Sequence, residues 1–440
     1  MLKSHKIFII SRQSMKTKIQ TVKGTRDFYP EDMAVRNWLY QVIREISVSF
    51  GYQEYEGPIL ETLELYAAKS GEELVKEQAF VFSDRGGDLI TLRPELTPTL
   101  ARMVAQRQQT LIFPLRWWSF GPFWRYERPQ KGRTREFFQW NIDIIGANSP
   151  ATDAELVTIC ATFLSKVGLG SNVVRIKVNH RGLMDKQLGK IGILPEKRAE
   201  IFRLIDRKDK LDPEAWNDLA IKLGLSSHQI NAIDSLLLNK DLWKESEELQ
   251  KFFEVLKANE MEDYVEFDPN IIRGLDYYTG IVFEAWEVHA GRAILGGGRY
   301  DNLLKEVGGD PLSGVGFAMG DVLITIILRE NNLIPPINPF KNAVMVSVFS
   351  DEYLSHSLRL AKQLRDSGIN VVCHPESLKL QKQLKYADRL GIRHVVILGP
   401  DEVHDGTIQI KDLETHDQKS YPISEGLRIL HQFYNCSKRK

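Results

Sequence analysis

The chain has 440 residues, of which 43% are hydrophobic and 26% charged, and its formal net charge at pH 7 is zero. This length suffices for roughly two or three domains with substantial cores, and no apolar run approaches the length of a membrane span. The zero net charge excludes nucleic-acid binding through a general positive field, so any such contact must come from local basic patches.

The first twenty residues are basic, contain no acidic side chain and are interpreted as an N-terminal extension. Their apolar run IFII is too short for the core of a secretory signal peptide. Three interpretations stay open: a loosely held tail, a segment upstream of an alternative start at Met15, or a short organelle-targeting sequence. Cys160, Cys373 and Cys436 lie far apart without metal-ligand spacing, which is typical of a reducing compartment, so we expect a cytoplasmic location.

The region before the middle of the chain predicts helices alternating with short strands. Apolar residues recur at helical spacing after residue 30, and Gly51 follows the last of them. The predicted elements are a helix over 31–50, a strand-like segment closing at Pro58, a helix around 61–69, a hairpin over 80–93 and a proline-started helix over 94–108.

The stretch from Phe120 to Gly146 predicts two strands joined by a basic turn. Side chains alternate along a strand, so one face can pack on a core while the other presents polar groups. In the first strand Arg125 and Glu127 share one face, and Trp124 and Tyr126 share the other. In the second strand the polar face carries Phe137, Gln139, Asn141 and Asp143, and the apolar face carries Phe138, Trp140, Ile142 and Ile144.

The residue types of this hairpin suit a site for a phosphate and an amine or imidazole. Arginine binds phosphate through paired N–H groups, and an amide beside a carboxylate suits an amine or an imidazole. The turn adds four cations, Arg128, Lys131, Arg133 and Arg135. A half-exposed hairpin with a solvated charged face is the alternative, and the hairpin alone does not decide between them.

The middle of the chain predicts a long helix near 152–167, then a charge-rich helical insertion at about 185–262 without a chemical motif. If a strand has already begun in the segment RGLDYYTGIVFE at 273–284, Arg273 and Tyr277 lie on one strand face and Tyr278 on the other. Three consecutive glycines in LGGGRYD, at 295–301, suit either close approach to a planar ligand or a bulged turn. The segment GVGFAMGDVLI lacks the spacing of a P-loop or a dinucleotide fingerprint.

The last hundred residues predict a separate small α/β domain with a mostly parallel sheet, after a proline-marked linker at 331–340. In its helix near 378–390, Leu380, Leu384 and Ala387 line one side. Four cations line the other side, namely Lys379, Lys382, Lys385 and Arg389. Such a stripe suits an RNA backbone, while a solvated face on a docked helix is the alternative.

Several long motifs in order make the chain resemble the histidyl-tRNA synthetases, which are class II aminoacyl-tRNA synthetases, from about Lys23 to Tyr434. The matching segments are KGTRDFYPED, the motif 1-like part ending at Pro58, TLRPELTP at 91–98, the motif 2-like hairpin, RGLDYYTGIVFE, and KLQKQLKYADRLGIRHVVILG. The resemblance implies an α+β catalytic domain on an antiparallel sheet over 21–330, with the helical insertion. It also implies an α/β anticodon-binding domain over 341–440.

The resemblance implies ATP-dependent ligation of L-histidine to its tRNA through a histidyl-adenylate, by a homodimer, with Mg²⁺ accompanying ATP and no protein-bound metal. Arg125 and Arg273 would be the catalytic cations. Histidine would be bound by Glu95, Thr97, Arg125, Gln139, Asp143, Arg273, Tyr277 and Tyr278. ATP would be bound by Arg125, Glu127, Arg133, Arg135, Phe137 and Tyr300. The tRNA would be bound by Lys379, Lys382, Lys385 and Arg389.

One position departs from the family pattern. Motif 3 usually carries an arginine that binds the γ-phosphate of ATP, and Leu323 stands there in this chain. Arg85, Arg299 or the motif 2 loop is then expected to hold the end of ATP. The departure favours a second candidate, the catalytically silent paralogue that serves as regulatory subunit of the first enzyme of histidine biosynthesis. The complete C-terminal domain, the full-length basic loop and the uninterrupted signature favour the synthetase over that paralogue. A generic RNA-binding protein does not explain the polar face of the hairpin.

Overall fold

The computed structural model describes residues 19–67, 77–208, 211–272, 277–289, 291 and 293–435. The chain divides into two compact units, a larger one of residues up to 27 with 36–335, and a smaller one of residues 28–35 with 336–440. Most of the predicted N-terminal extension, including Met15, lies outside the described residues, as does Cys436. Within the described ranges no helix is both long and apolar enough to cross a bilayer.

The larger unit contains the strands β1 to β11, the helices α2 to α11 and the part of α1 from residue 36 onward. The strands are β1 Gln53–Glu54, β2 Leu60–Thr62, β3 Phe80–Ser83, β4 Leu89–Leu92, β5 Leu115–Trp124, β6 Glu136–Ile145, β7 Val174–His180, β8 Val265–Phe267, β9 Ile281–Glu287, β10 Ala293–Tyr300 and β11 Gly314–Gly320. The helices are α1 Pro30–Ser49, α2 Leu63–Ala67, α3 Thr97–Arg107, α4 Pro150–Lys166, α5 Arg181–Lys190, α6 Pro195–Asp206, α7 Pro213–Lys222, α8 Ser227–Leu238, α9 Glu247–Ala258, α10 Leu303–Glu306 and α11 Asp321–Glu330.

An eight-stranded sheet organises this unit, in the order β1-β5-β6-β11-β10-β9-β7-β8. Its outermost pairs, β1 with β5 and β7 with β8, are parallel, and the pairs between them are antiparallel. The prediction of a catalytic domain on an antiparallel sheet is therefore confirmed. Helices α5 to α9 follow β7, where the sequence predicts the helical insertion.

Helix α4 packs on one side of this sheet and begins at a well-formed N-terminus. The Ser149 side chain accepts a hydrogen bond from the N–H of Ala151, and Pro150 occupies the first turn, where a missing N–H costs nothing. Phe163 of α4 lies 5.4 Å from the ring of Trp140, and Phe317 lies 4.8 Å from that ring. These aromatic contacts fix the helix against the centre of the sheet.

A second sheet has three strands in the order β2-β4-β3, and these strands precede α3 in the chain. The hairpin predicted over 80–93 is confirmed, since β3 and β4 pair antiparallel. The helix predicted around 61–69 is wrong at its start, because Leu60–Thr62 pairs with β4 and, within the described residues, the helix begins at Leu63. Backbone pairing to a neighbouring strand outweighs the local helical pattern there.

The smaller unit is an α/β domain around a five-stranded sheet, ordered β13-β12-β14-β15-β16. Its elements are β12 Ala343–Val346, α12 Leu354–Asp366, β13 Asn370–Cys373, α13 Leu380–Arg389, β14 His394–Ile397, α14 Pro400–Asp405, β15 Thr407–Asp412, β16 Gln418–Pro422 and α15 Ile423–Asn435. The predicted mostly parallel sheet is wrong, because β14–β15 and β15–β16 are antiparallel. Residues 398–406 are too few for the crossover that a parallel pair requires.

Candidate active site

The eight-stranded sheet has two chemically different faces. Residues paired across strands point to the same side, so Asp143, Gly316 and Gly298, which are opposite one another in β6, β11 and β10, share a face. We call this side the site face; it carries Trp117, Ser119, Phe137, Gln139, Asn141, Asp143, Gly298, Tyr300, Gly316 and Ala318. The other side, the core face, carries Trp118, Trp140, Ile142, Ile144, Phe283 and Phe317, all in the main core. The alternation predicted for residues 137–144 is confirmed.

A buried carboxyl lies at the centre of the site face. The hydroxyl of Tyr300 donates to Oδ1 of Asp143 at 2.6 Å, and the two residues are 2% and 6% exposed. Burial raises the pKa of Asp143 to about 7, although the hydrogen bond from Tyr300 opposes the rise. A carboxyl that titrates near neutrality, beside a hydroxyl that holds one of its oxygens, suits a ligand that itself exchanges a proton in that range, such as an imidazole.

Glycines make room for the side chains of this pocket. A Cβ atom on Gly316 would overlap Oδ1 of Asp143, and one on Gly298 would lie 2.9 Å from Cδ1 of Tyr278. The bulged-turn interpretation of the glycine run is wrong, because residues 296–298 are paired on both sides within β10. The glycines therefore let a carboxylate and a tyrosine ring lie directly on the sheet.

The tyrosines of the signature segment lie together beside Tyr300. The rings of Tyr277 and Tyr278 are 4.8 Å apart, and the Tyr277 ring meets that of Tyr300 edge-on at 6.2 Å. The placement of Tyr277 and Tyr278 on opposite strand faces required that the strand had begun there, and this condition is not met. Strand β9 begins only at Ile281, so both residues precede the ladder and strand alternation does not apply to them.

Arg125 lies near Phe137 and contacts the segment before α3. Its guanidinium carbon lies 5.5 Å from the centroid of Phe137, and its Nε donates to the carbonyl of Pro94 at 2.9 Å. The placement of Arg125 and Glu127 on a strand face is wrong, because β5 ends at Trp124. The loop residues 125–135 close through the N–H of Arg125, which donates to the carbonyl of Arg135.

The loop arginines surround Glu127. Nη1 of Arg133 lies 3.5 Å from Oε2 of Glu127, and Nε of Arg135 donates to the backbone carbonyl of Glu127 at 3.2 Å. The Arg135 guanidinium also lies 4.0 Å above the ring of Tyr126. The predicted packing of Tyr126 in an apolar face is wrong, since this side chain is 54% exposed under that arginine. Arg133 remains at the surface, with 64% of its side chain exposed.

The other residues predicted to bind histidine lie on three elements. Glu95 is buried, directly after Pro94, and its carbonyl accepts from the hydroxyl of Tyr66 at 3.2 Å. Thr97 is the first residue of α3. Gln139 lies on the site face, where its Oε1 accepts from Nδ2 of Asn141 at 3.3 Å. Because Arg125 binds the carbonyl of Pro94, the Glu95 segment and the loop after β5 are held together.

The sequence predicts that two arginines, Arg273 and Arg299, contact substrate. Arg273 lies outside the described residues. The hypothesis that Arg299 holds the end of ATP is wrong, because its side chain is buried on the core face. Its Nη2 contacts Oδ2 of Asp153 in α4 at 2.6 Å, and further N–H groups bind Asn148, the Ser149 carbonyl and Thr152. Arg299 and Tyr300 are neighbours in β10, so they must point to opposite sides of the sheet.

The start of α11 carries Leu323 at the position expected for a cation and a carboxylate, Asp321, two residues before it. Leu323 packs against the main core. Asp321 is buried, accepts from the N–H of Phe138 at 2.8 Å and pairs with Nη2 of Arg26 at 2.9 Å. Burial raises the pKa of Asp321, and the charge of Arg26 opposes the rise. This pair ties the segment before α1 to the end of β11.

The four predicted RNA-binding cations are exposed along α13 in the smaller unit. They are Lys379, Lys382, Lys385 and Arg389. On the other side Ala387 is buried and Leu384 is half-buried, as predicted, but Leu380 is 37% exposed. Gln383 takes the inner position instead, because its amide both accepts from the N–H of Val348 and donates to the carbonyl of Val348.

Two residues near the site have no place in the sequence-based prediction. Arg93 is fully buried; its Nε donates to the carbonyl of Pro122 and its Nη1 contacts Glu56 at 2.5 Å. It therefore anchors the segment before Glu95 to the end of β5. Tyr55 follows β1 and packs beside Trp117 of the site face. Only the tertiary structure brings either residue to this region, although an arginine next to Pro94 was a usable signal.

Comparison with protein families gives two matches. Residues 24–321 match the family described as histidyl-tRNA synthetase, and residues 343–432 match the family described as anticodon binding domain. The first match contains every element of the site face described above. The second covers the whole sheet of the smaller unit.

Individual relatives extend over nearly the whole chain. A histidine–tRNA ligase of Leptospira biflexa is 36% identical over 429 residues, which cover 94% of this chain and 98% of that protein. A chloroplastic/mitochondrial histidine–tRNA ligase of Arabidopsis thaliana is 36% identical over 424 residues, 93% of this chain and 86% of that protein. A crystal structure of histidyl-tRNA synthetase from Nostoc sp. PCC 7120 shares the fold, with a TM-score of 0.78 at 23% identity, covering 95% of this chain and 100% of that one.

Proposed function

This chain belongs to the histidyl-tRNA synthetase family and ligates histidine to tRNA, and from that premise we propose where on the molecule the reaction takes place. Histidine and ATP bind side by side on the site face. The observation that carries this proposal is the buried pair of Asp143 and Tyr300. Asp143 shares β6 with Phe137, and the Tyr300 ring contacts that of Tyr277, which lies beside Tyr278.

Histidine binds with its imidazole ring against Asp143. Tyr277 and Tyr278 line the ring, and Tyr300, whose hydroxyl is already bound to Asp143, belongs to this pocket instead of contacting ATP. The amino group binds Glu95, Thr97 and Gln139. The carboxylate faces Arg125, which the carbonyl of Pro94 holds next to Glu95, and Arg273.

ATP binds at the end of the site face where β5 and β6 leave the sheet. Its adenine ring stacks on Phe137, and the carboxylate of Glu127 accepts a hydrogen bond from the adenine amine. Arg125, 5.5 Å from the Phe137 centroid, reaches the α-phosphate. Arg133 and Arg135 supply positive charge to the phosphates from the loop.

Adenylate formation on this site needs no nucleophile from the protein. The histidine carboxylate attacks the α-phosphorus of ATP in line, the bond to the bridging oxygen breaks, and pyrophosphate leaves. The side chains hold the two substrates in line, and Arg125 and Arg273 stabilise the charge that develops on the α-phosphate. In the second step a terminal ribose hydroxyl of tRNA attacks the carbonyl of the adenylate and AMP leaves.

Magnesium enters this reaction as the magnesium complex of ATP. In the described part of the chain, no group of three or more His, Cys, Asp or Glu side chains could hold a metal ion. Phosphate oxygens are hard ligands that would hold the ion, and it would neutralise charge on the leaving pyrophosphate.

The two units divide the recognition of tRNA. Residues 21–330 form the catalytic domain, with the helical insertion over about 185–262, residues 331–340 form a linker, and residues 341–440 form the anticodon-binding domain. The exposed cations of α13 contact the RNA backbone: Lys379, Lys382, Lys385 and Arg389. The working form is a homodimer in the cytoplasm. The resemblance supports these assignments, and the exposure of the four cations supports their contact with RNA.

Histidine-dependent exchange of pyrophosphate into ATP tests this proposal. The wild-type protein should support exchange with histidine and with none of the other nineteen amino acids. A catalytically silent regulatory paralogue would give no exchange. The Arg125→Ala variant should lose roughly 10²–10³-fold in rate, as expected for removal of a preorganised charge donor, while Arg107→Ala, at an exposed position in α3, should not. An Arg125→Ala variant with a near-normal rate would refute the assigned site.

A further inference from the structure

The N-terminal segment around Gly24 lies along the edge of β6 where β11 ends. Strand β11 pairs with β6 only as far as Gly320, and the side chain of the next residue, Asp321, accepts from the N–H of Phe138 at 2.8 Å. The N–H groups of alternate residues in a strand point to the same neighbour, so the N–H of Glu136 faces that edge as well. It donates to the carbonyl of Gly24 at 3.2 Å. The segment therefore takes the place of β11 beside the end of β6 that carries the proposed ATP site.

The same carbonyl fixes the backbone where the basic loop enters β6. The N–H of Arg135 donates to the carbonyl of Gly24 at 2.9 Å, and the carbonyl of Arg135 accepts from the N–H of Arg125 at 2.9 Å. The turn before this carbonyl is itself held, because the N–H and the hydroxyl of Thr25 both donate to the carbonyl of Val22, at 3.0 and 2.7 Å. Both ends of the loop are therefore connected to the N-terminal segment through Arg135.

The side chain of Arg135 also lies directly on Gly24. A Cβ atom on Gly24 would lie 2.7 Å from Cγ of Arg135 and 3.0 Å from its Cδ, and Gly24 has a φ of +88°, which L side chains rarely adopt. The guanidinium of Arg135 then extends over the ring of Tyr126 at 4.0 Å. Arg26 joins the segment to the buried Asp321 through a contact of 2.9 Å. The position of the Arg135 side chain is thus set by a glycine that the rest of the unit holds in place.

We propose that Gly24 is a positioning residue of the ATP site, which sets the place of Arg135 relative to the phosphates. Its carbonyl orients the backbone of Arg135, and its lack of a side chain leaves room for the arginine stem. The inference rests on the proposed function, because it takes Arg135 to supply positive charge to ATP. Small displacements of a charged group from its working position are costly, so a segment far from the loop in sequence contributes to ATP binding by acting through Arg135.

The Gly24→Ala variant tests this role, with Gly51→Ala as its matched control. Gly51 has a φ of +82°, and a Cβ atom there would meet nothing within 4 Å. Both variants place a side chain on left-handed backbone, so both should lower the Tm by comparable amounts. In pyrophosphate exchange, Gly24→Ala should also raise the KM for ATP roughly 10-fold, the effect of one charged hydrogen bond. The KM for histidine should stay unchanged, because the carbonyl of Pro94 still holds the Arg125 side chain. Gly51→Ala should change neither KM.

Arg135→Ala, alone and combined with Gly24→Ala, separates failure of this inference from failure of the proposed function. Arg135→Ala should raise the KM for ATP, and adding Gly24→Ala should raise it no further, because the displaced side chain is already absent. If Arg135→Ala raises that KM and Gly24→Ala behaves like Gly51→Ala, the inference falls and the proposed function stands. If Arg135→Ala leaves the KM for ATP unchanged, the proposed role of Arg135 falls together with the inference.

Two further outcomes would overturn the inference. An equal rise in the KM for ATP from Gly24→Ala with and without the Arg135 side chain would show that Gly24 does not act through Arg135. Equal rises in the KM values for histidine and ATP from Gly24→Ala would show general damage to the site.

Discussion

The two faces of the eight-stranded sheet are built from the same strands but satisfy their polar groups differently. On the core face Arg299 is buried with its N–H groups bound to Asp153 and to the start of α4. On the site face Asp143 is buried with no cationic partner among the residues that the structure describes, and its pKa rises to about 7. Tyr55 on that face has a buried hydroxyl that no described residue binds.

The two faces therefore differ in whether their buried polar groups have protein partners. A buried ion pair is tolerated when its hydrogen bonds are complete, and losing one partner is costly. A buried carboxyl or hydroxyl that lacks a partner instead leaves free energy that a bound ligand can recover. The core face therefore determines stability, and the site face gives up some stability for binding.

The largest effect is expected at the buried pair of the core face. Arg299→Met leaves Asp153 without its cation and should lower the free energy of unfolding by about 3–5 kcal/mol. Arg116→Met is the control. Arg116 lies in β5 and pairs with Glu155 of the same helix, α4, but its side chain is 34% exposed. That exposed pair should contribute less than about 1 kcal/mol. Chemical denaturation measures both, and equal losses would remove the contrast between a complete buried pair and a surface pair.

The second effect concerns the close approach of Asp143 to the sheet. Gly316→Ala places a methyl group on Oδ1 of Asp143, so the carboxyl must move, and kcat/KM for histidine should fall about 10²-fold. Gly320→Ala, on the same strand and face, is the control, since its Cβ meets no atom within 4 Å. Pyrophosphate exchange at varied histidine concentration gives both values. Activity of Gly316→Ala close to that of Gly320→Ala would mean that the position of Asp143 is unimportant.

The third effect is a pH dependence of stability that Asp143 contributes on the site face. The pKa of Asp143 is about 7 in the folded protein, against a usual value of 3.8, so the folded state keeps a proton that the unfolded chain has lost. Stability from this group is therefore present at low pH and lost as the pH rises through about 7, with a slope of up to about 1.4 kcal/mol per pH unit. Relative to Asp143→Asn, the wild-type protein should lose stability from pH 5 to pH 7 and change little above pH 8. Parallel curves for the two proteins would show that Asp143 is not protonated in the fold.

The smallest effect distinguishes two adjacent residues that point to opposite faces. Phe137 on the site face stacks near Arg125, whereas Phe138 on the core side stacks on Phe120 at 6.0 Å under the guanidinium of Arg36. Phe137→Leu should raise the KM for ATP by roughly 3–10-fold with little change in Tm, since an aromatic contact contributes about 0.5–1.5 kcal/mol. Phe138→Leu should lower the Tm and leave the KM for ATP unchanged. The same phenotype from both variants would contradict the division of faces at this end of β6.

The sequence predicts the site face where strand alternation applies and not beyond it. The period of two correctly separates Gln139 and Asp143 from Trp140 and Ile142, because β6 is a regular strand. It misplaces Arg125, because the ladder ends at Trp124, and it does not apply to Tyr278, because β9 begins only at Ile281. The same alternation predicts that Arg299 points away from Tyr300, which the hypothesis of an ATP contact overlooked.

Other features depend on tertiary contacts that local patterns do not encode. The unpaired hydroxyl of Tyr55 arises only because β1 joins the sheet next to Trp117. The buried pair of Asp321 and Arg26 joins residues almost 300 positions apart in the chain. In the smaller unit the short link between β14 and β15 is visible in the sequence, and it should have indicated an antiparallel pair.

A crystal structure with histidine and a non-hydrolysable ATP analogue tests the central claim most directly. The account predicts both ligands on the site face, with one imidazole nitrogen within hydrogen-bond distance of Asp143 and the adenine ring stacked on Phe137. Ligands bound away from β6 and β11, or an imidazole without contact to Asp143, would contradict it.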